Sequence, residues 1–170
     1  ADQRVSLASE RAELQIVLAD FAQAGPDGKV HIVGAGVAAL GFDAAQGVTS
    51  RFSLYVATTV PTELCPVEVS LEVALHHEGQ LFELPSAIGI GQALRIGQIL
   101  SIESPNNPMM SMVQRAHTGS RHHAVFDFGN GLPLIAGGNF EWRVRLDGDD
   151  DNVSVYRFAV AGPHPGLVIG

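Results

Sequence analysis

The sequence predicts an all-β fold, an antiparallel β-sandwich of about seven to nine strands with a short N-terminal arm. Three observations carry that expectation. Short segments alternate apolar and polar residues with period two, as half-buried strands do. Turn residues return roughly every ten positions. No segment sustains the 3.6-residue apolar period of a long helix.

Each element follows from its residues. Residues 1–13 read as an arm or a short helix, because in "SLASERAEL" Ser6 or Ser9 can cap good helix formers. "LQIVLADFAQA" (14–24) and "VHIVGAGV" (30–37) read as two strands joined by Pro26 and the Asp27-Gly28 turn. In "RFSLYVATTV" (51–60), Phe52, Leu54 and Val56 share one face. "VEVSLEVALHH" (67–77) alternates more cleanly, with Val67, Val69, Leu71, Val73 and Leu75 inward. "EGQ" (78–80) turns into "LFELP" (81–85). Across 86–120 the repeated Gly and the Pro-Asn-Asn-Pro break predict a strand near 96–103, then a loop or one helical turn. "RHHAVFDFG" (121–129) is a strand, and "NGLPLIAGGN" (130–139) a long turn. "FEWRVRLDG" (140–148) places Phe140, Trp142, Val144 and Leu146 inward, and "VSVYRFAV" (153–160) alternates again. The pattern makes one domain over residues 14–161, with a Gly/Pro-rich tail at 162–170.

Composition narrows the function classes. The chain has 170 residues, a net charge of -8 and only 16% charged residues. Its pI is about 5.2 and its mean hydropathy +0.18. An acidic surface repels phosphate backbones, so nucleic acid is not an expected partner. Low charge with 46% hydrophobic residues fits either a well-buried monomer or a surface hidden in an assembly. Cys65 is the only cysteine, which removes intrachain disulfides and Cys-rich zinc sites. The polar N-terminal stretch does not read as a signal peptide. No apolar run approaches the ~18 residues of a membrane span. These features point to a cytoplasmic chain that is not secreted, placed in a virion if phage-encoded.

"VHIVGAGVAALG" (30–41) carries the spacing of a dinucleotide-binding turn, with Gly34, Gly36 and Ala39. That turn needs a long helix after it, whose N-terminus meets the pyrophosphate. Here Gly41 and Gly47 interrupt the candidate helix, at roughly 1 kcal/mol each. No acidic residue ends "RFSLYVATT" to hold a ribose. No cofactor is therefore expected. The glycines read as a bend, a bulge or a close approach, with protein backbone or a bulky side chain against them.

Three short motifs carry a resemblance: Asp20 to Ala22 near the start, and Gly131 to Leu134 leading into Glu141 to Arg143 near the end. In these the chain resembles an uncharacterised bacterial family of small β-rich proteins, a domain of unknown function, across about residues 14–161. The stretch 86–120 departs from that pattern. The resemblance implies a sandwich and brings no catalytic residue. A looser likeness links the chain to small β proteins among bacteriophage structural genes.

Other residues invite chemistry. Seven histidines, His31, His76, His77, His117, His122, His123 and His164, raise a metal reading. Neighbours on a strand point to opposite faces, so each pair offers a site one ligand at most. One of His76/His77 could meet one of His122/His123 across paired strands, but zinc needs three or four convergent ligands. No metal is expected. "DGDDDN" (147–152) lacks the EF-hand glycine and glutamate, and reads as an exposed hairpin turn. No nucleophile elbow occurs, and Cys65 has no basic neighbour in sequence. The chain is therefore read as not an enzyme.

"MMSMV" (109–113) gathers all three methionines. Core filling is one reading and a protein-contact patch the other. Arg115, His117, Arg121, His122 and His123 make its flank the most basic stretch of an acidic chain. Met109, Met110, Met112, Arg115 and Arg121 are the interface candidates. The expected function is a non-enzymatic structural or interaction module packed into a larger assembly through protein partners or self-association, such as a capsid decoration or minor virion protein. A carbohydrate- or small-molecule-binding sandwich is the first alternative and predicts an exposed aromatic platform. A metal-assisted enzyme using the histidine pairs is the second.

Overall fold

The computed structural model describes residues 6–85 and 91–162. The start of the arm, most of the tail and His164 lie outside the described residues.

The chain opens with α1 (Leu7–Arg11) and the hairpin β1 (Glu13–Ala24) and β2 (Val30–Ala35). Two-residue strands follow: β3 (Ala39–Leu40), β4 (Phe42–Asp43) and β5 (Val48–Thr49). Then come β6 (Phe52–Val60), a 3-10 turn at Thr62–Leu64, β7 (Val67–His77), β8 (Gln80–Leu81), β9 (Glu83–Leu84) and β10 (Gln92–Ala93). The chain continues with β11 (Arg95–Ile102), α2 (Met112–Thr118), β12 (Ser120–Phe128), β13 (Asn139–Leu146) and β14 (Ser154–Val160). The long strands β1, β2, β6, β7, β11, β12, β13 and β14 match the expected number.

They form two facing sheets. One is four-stranded, in the order β12-β6-β1-β2. The other is six-stranded, in the order β11-β7-β13-β14-β3 with β8 beside β7. The expected β-sandwich is thus the fold. Its pairings are antiparallel except that of β14 with β3, which is parallel. That exception arises because the chain leaves one sheet at Ala35 and joins the far edge of the other at Ala39.

The glycines of "VHIVGAGVAALG" make this crossover. Gly34 and Gly36 have φ of +68° and +86°, a region that penalises a Cβ. A Cβ on Gly34 would also overlap the Asp20 carboxylate, whereas one on Gly36 would meet open space. The expectation of close packing thus holds at Gly34 and fails at Gly36, where backbone conformation alone needs glycine. The amides of Gly36 and Val37 both donate to Leu18 O, at 2.9 and 3.0 Å. The Tyr156 hydroxyl donates to Val37 O at 2.7 Å. Short strands, not a helix, follow the motif.

The core lies between the sheets. Leu18, Leu54 and Val56 face Leu71, Val73, Leu75, Trp142 and Val144, all fully buried. Trp142 stacks on Phe128 at 5.7 Å and on Phe158 at 6.2 Å between ring centres. Side chains of this size each contribute about 1.5–3 kcal/mol when buried. Phe52, Leu54 and Val56 of β6 do share the inward face, but Ser53, Tyr55 and Ala57 are buried as well. Strands on both flanks cover β6, and its outward polar groups find partners: Ser53 Oγ donates to Asp127 Oδ1 at 3.1 Å.

The Gly131 to Leu134 loop is pinned against Thr49. Gly131 has φ +68°, and a Cβ there would overlap the Thr49 carbonyl oxygen. This close approach lets Leu132 exchange hydrogen bonds with Thr49: Leu132 N donates to Thr49 Oγ1 at 3.1 Å, and Thr49 N to Leu132 O at 2.9 Å. Leu132 and Leu134 then enter the core. In Glu141 to Arg143, Trp142 points inward and its neighbours form an ion pair outside.

The Asp147–Asn152 run is a hairpin turn, but it is not wholly exposed. Asp147 Oδ1 accepts from Ser70 N at 2.8 Å, and Asp147 Oδ2 from Ser6 Oγ at 2.6 Å. Asp149 is buried and accepts from Asn152 Nδ2 at 2.8 Å and Asp151 N at 3.0 Å. The Asn152 bond, with help from Ser9, holds its carboxyl below the usual range. These carboxylates tie α1, capped by Ser6, to the sandwich.

Candidate interaction surface

The stretch from β11 to β12 builds a knob beside the four-stranded sheet. Ser111 starts α2 with a capping box: Ser111 Oγ accepts from Gln114 N at 3.2 Å, and Gln114 Oε1 from Ser111 N at 2.9 Å. The helix has seven residues, more than the single turn expected. The Ser-x-x-Gln spacing at 111–114 was the signal for it. Thr62 Oγ1 donates to Arg115 O at 2.9 Å and anchors the inner side.

The anchoring leaves the apolar residues outside. Met109, Met112 and Val113 are 87%, 84% and 79% exposed. Core filling by Met109 and Met112 is therefore overturned; only Met110 is half-buried. Capping fixes the helix with Met112 and Val113 at its first two positions, turned away from the sheet. Arg115 also departs from its expected place. It is half-buried, and its Nη2 donates to Asn107 O at 3.0 Å, so it braces the preceding loop. Arg121 is exposed as expected.

A cleft of about 560 Å³ adjoins the knob on the outer face of the four-stranded sheet. Its walls include Glu13, Gln15, Tyr55, His117, Arg121 and His123. The Tyr55 hydroxyl meets His123 Nδ1 at 2.5 Å, with the two rings stacked. Burial raises the Tyr55 pKa, against a smaller opposing effect of Arg121. One carboxylate, Glu13, faces Arg121 and two imidazoles.

The histidine pairs split as strand geometry requires, but they do not meet. His76 and His77 belong to the six-stranded sheet and His122 and His123 to the four-stranded one, so no paired strands bring them together. His77 stacks on Phe140 at 4.7 Å, with Nδ1 at 2.9 Å from Asn139 O. His122 faces Thr58 across the pairing of β12 with β6. Burial lowers its pKa, and His123 lowers it further. His31 and His117 are exposed. Among the described residues, no three of His, Cys, Asp and Glu come together as metal ligands. Among the described helices, none is long and apolar enough to cross a membrane.

The comparisons with known proteins add little. No family model matches the chain. No curated protein is similar to it. Among solved structures, a beta-glucosidase from Listeria innocua in complex with isofagomine is similar at a TM-score of 0.41 and 9% identity. The match covers 90% of this chain but 17% of that one. The fold assignment here rests on the strand pairings, which stand without that likeness.

Proposed function

We propose that this protein is a non-enzymatic interaction module that associates with a second copy of itself through the α2 knob and the basic cleft beside it. The single observation that carries the reading is the exposure of Met112 and Val113 at the start of a capped helix, and of Met109 in the turn before it. Large apolar side chains held together in water favour contact with another surface. Methionine suits such a contact because its unbranched chain adapts to irregular partners. The adjoining Arg121 and His117 favour an acidic partner, and a copy of this net -8 chain offers one. The aromatic platform of a sugar-binding sandwich has no counterpart among the described residues, whose exposed large hydrophobics are all aliphatic.

Light scattering coupled to size-exclusion chromatography tests the reading. The wild type is expected to exceed the 17.9 kDa of one chain, and the double variant Met109→Ser/Met112→Ser to return to that mass. A wild type that stays at the mass of one chain at high concentration contradicts it.

A further inference from the structure

β11 forms one edge of the six-stranded sheet and pairs with β7 along all of Arg95–Ile102 without a bulge. Natural edge strands are usually blunted by charge, proline, a bulge or shortness, because open amides and carbonyls invite another strand. The other edges of the two sheets follow that rule: β12 carries Arg121 and Asp127, β2 bends at Gly34, and β3 has two residues. From Ile96 to Ile102, β11 has neither charge nor proline. Ile99, at its middle, is 65% exposed.

Two hydrogen bonds fix which backbone groups of this edge are open. Asp147 N donates to Ser70 O at 2.8 Å, and Leu75 N to Leu94 O at 3.0 Å. Even-numbered residues of β7 therefore bond β13, and odd-numbered ones bond β11. In β11, Ile96, Gln98 and Leu100 thus bond β7, while the backbone groups of Gly97, Ile99 and Ser101 point away from it. No described residue bonds those outward groups. The side chains alternate as well: Leu100 and Ile102 enter the core, and Ile99 stands on the outer face between the small residues Gly97 and Ser101. The ends of the edge carry opposite charges. Arg95 at its start shares Glu72 with Arg145, at 3.5 Å from its own Nε. Glu103, just past its end, is exposed and has no ion pair among the described residues.

We infer that β11 of one copy pairs antiparallel with β11 of a second copy about a two-fold axis at Ile99, joining the two six-stranded sheets into one. In this register Ile99 faces Ile99, Gly97 faces Ser101 and Arg95 faces Glu103. Every outward amide and carbonyl then meets its counterpart, and each charge its opposite. An axis at Gln98 or Leu100 would keep the backbone bonds but lose the charge match. The inference rests on the self-association proposed above and gives it a geometry. Thr62 anchors α2 just before β7, and β7 begins opposite Ile102, so the knob stands at the Ile102 end of this edge. Ladder bonds replace bonds to water and contribute modestly, so the edge sets the orientation while the knob supplies the apolar contact. With one β11 in each copy, the pairing closes at two chains.

Hydrogen exchange of the full chain, read amide by amide by NMR, tests the inference. In the associated protein the amides of Gly97, Ile99 and Ser101 are expected to exchange about tenfold or more slowly than in the dilute chain. The amides of Ile96, Gln98 and Leu100 bond β7 and are expected to be protected alike in both. Ile99→Lys sets two like charges opposite each other and is expected to weaken association by about tenfold or more. Glu103→Arg turns two attractive pairs repulsive and is expected to weaken it by about threefold or more. Retained protection at Ile96, Gln98 and Leu100 shows that each variant folds, and the wild-type exchange decides the matter should either fail to. A wild type that stays a single chain overturns the inference together with the reading on which it rests. An associated wild type whose Gly97, Ile99 and Ser101 amides exchange as fast as in the dilute chain overturns the inference alone. So does a folded Ile99→Lys or Glu103→Arg protein that associates as tightly as the wild type.

Discussion

The outer face of the six-stranded sheet and the α2 side of the four-stranded sheet treat water in opposite ways. On the first, Glu72 and Glu141 are each shared by two arginines from neighbouring strands, so the charges are answered within the chain. On the second, Met109, Met112 and Val113 face solvent with no intramolecular answer. The difference shows that a chain with 16% charged residues has not spread them evenly. It spends them where strand register can pair them, and leaves an apolar surface where a capped helix projects. Neither face holds the fold together. Partly exposed ion pairs contribute about 0–1 kcal/mol each, and an exposed methionine contributes little to an isolated chain. The core beneath both faces carries the stability.

The largest effect should therefore come from the core. Trp142→Ala is expected to destabilise the protein by about 3–5 kcal/mol in urea unfolding, because the indole joins Phe128 of one sheet to Phe158 of the other. A loss confined to one face would show that the two sheets are less coupled than their stacking implies. Next is Gly131→Ala, whose added Cβ meets the Thr49 carbonyl at a positive φ. The expected loss is more than about 1 kcal/mol, read in the same unfolding experiment.

A pH series separates the two sheets further. The pKa values of His76 and His122 lie below the ordinary 6.5, in both cases chiefly through burial. The unfolded chain then binds protons more readily than the folded one, so stability present above pH 6.5 is lost as pH falls through the lower folded values. Beyond burial, Arg143 lowers the value at His76 against a smaller opposing effect of Glu141, and His123 lowers that at His122. His122→Gln and His76→Gln should each flatten the acid limb of unfolding free energy against pH. The smallest effect belongs to the knob: Met109→Ser/Met112→Ser is expected to change the stability of the dilute chain by no more than about 0.5 kcal/mol.

Much of the sandwich was legible because period-two alternation writes burial directly into residues such as Val69, Leu71 and Val73. The parallel pairing of β14 with β3 was not, since nothing in Gly34 to Ala39 states which sheet the chain will join next. The burial of β6 on both faces from Phe52 to Thr58 was hidden for a related reason: alternation reports the side chain's own polarity, not the cover that neighbouring strands supply. In the candidate surface, Met109, Met112 and Arg121 were found by composition alone. Arg115 looked the same in sequence, yet its bond to Asn107 O turns it inward. The shared face of Arg95, Arg143, Arg145 and Arg157 went unnoticed because those residues are scattered along the chain and meet only through register, although the alternation of "EWRVR" placed two of them outward.

Methionine methyl spectroscopy with a soluble paramagnetic agent tests the central claim most directly, because it reads the knob itself. At concentrations where the protein self-associates, the Met109 and Met112 methyl signals are expected to be protected from the agent, and to lose that protection on dilution. Signals from both methyl groups that remain fully exposed to the agent while the protein is associated would contradict the assignment of the α2 knob as the contact surface.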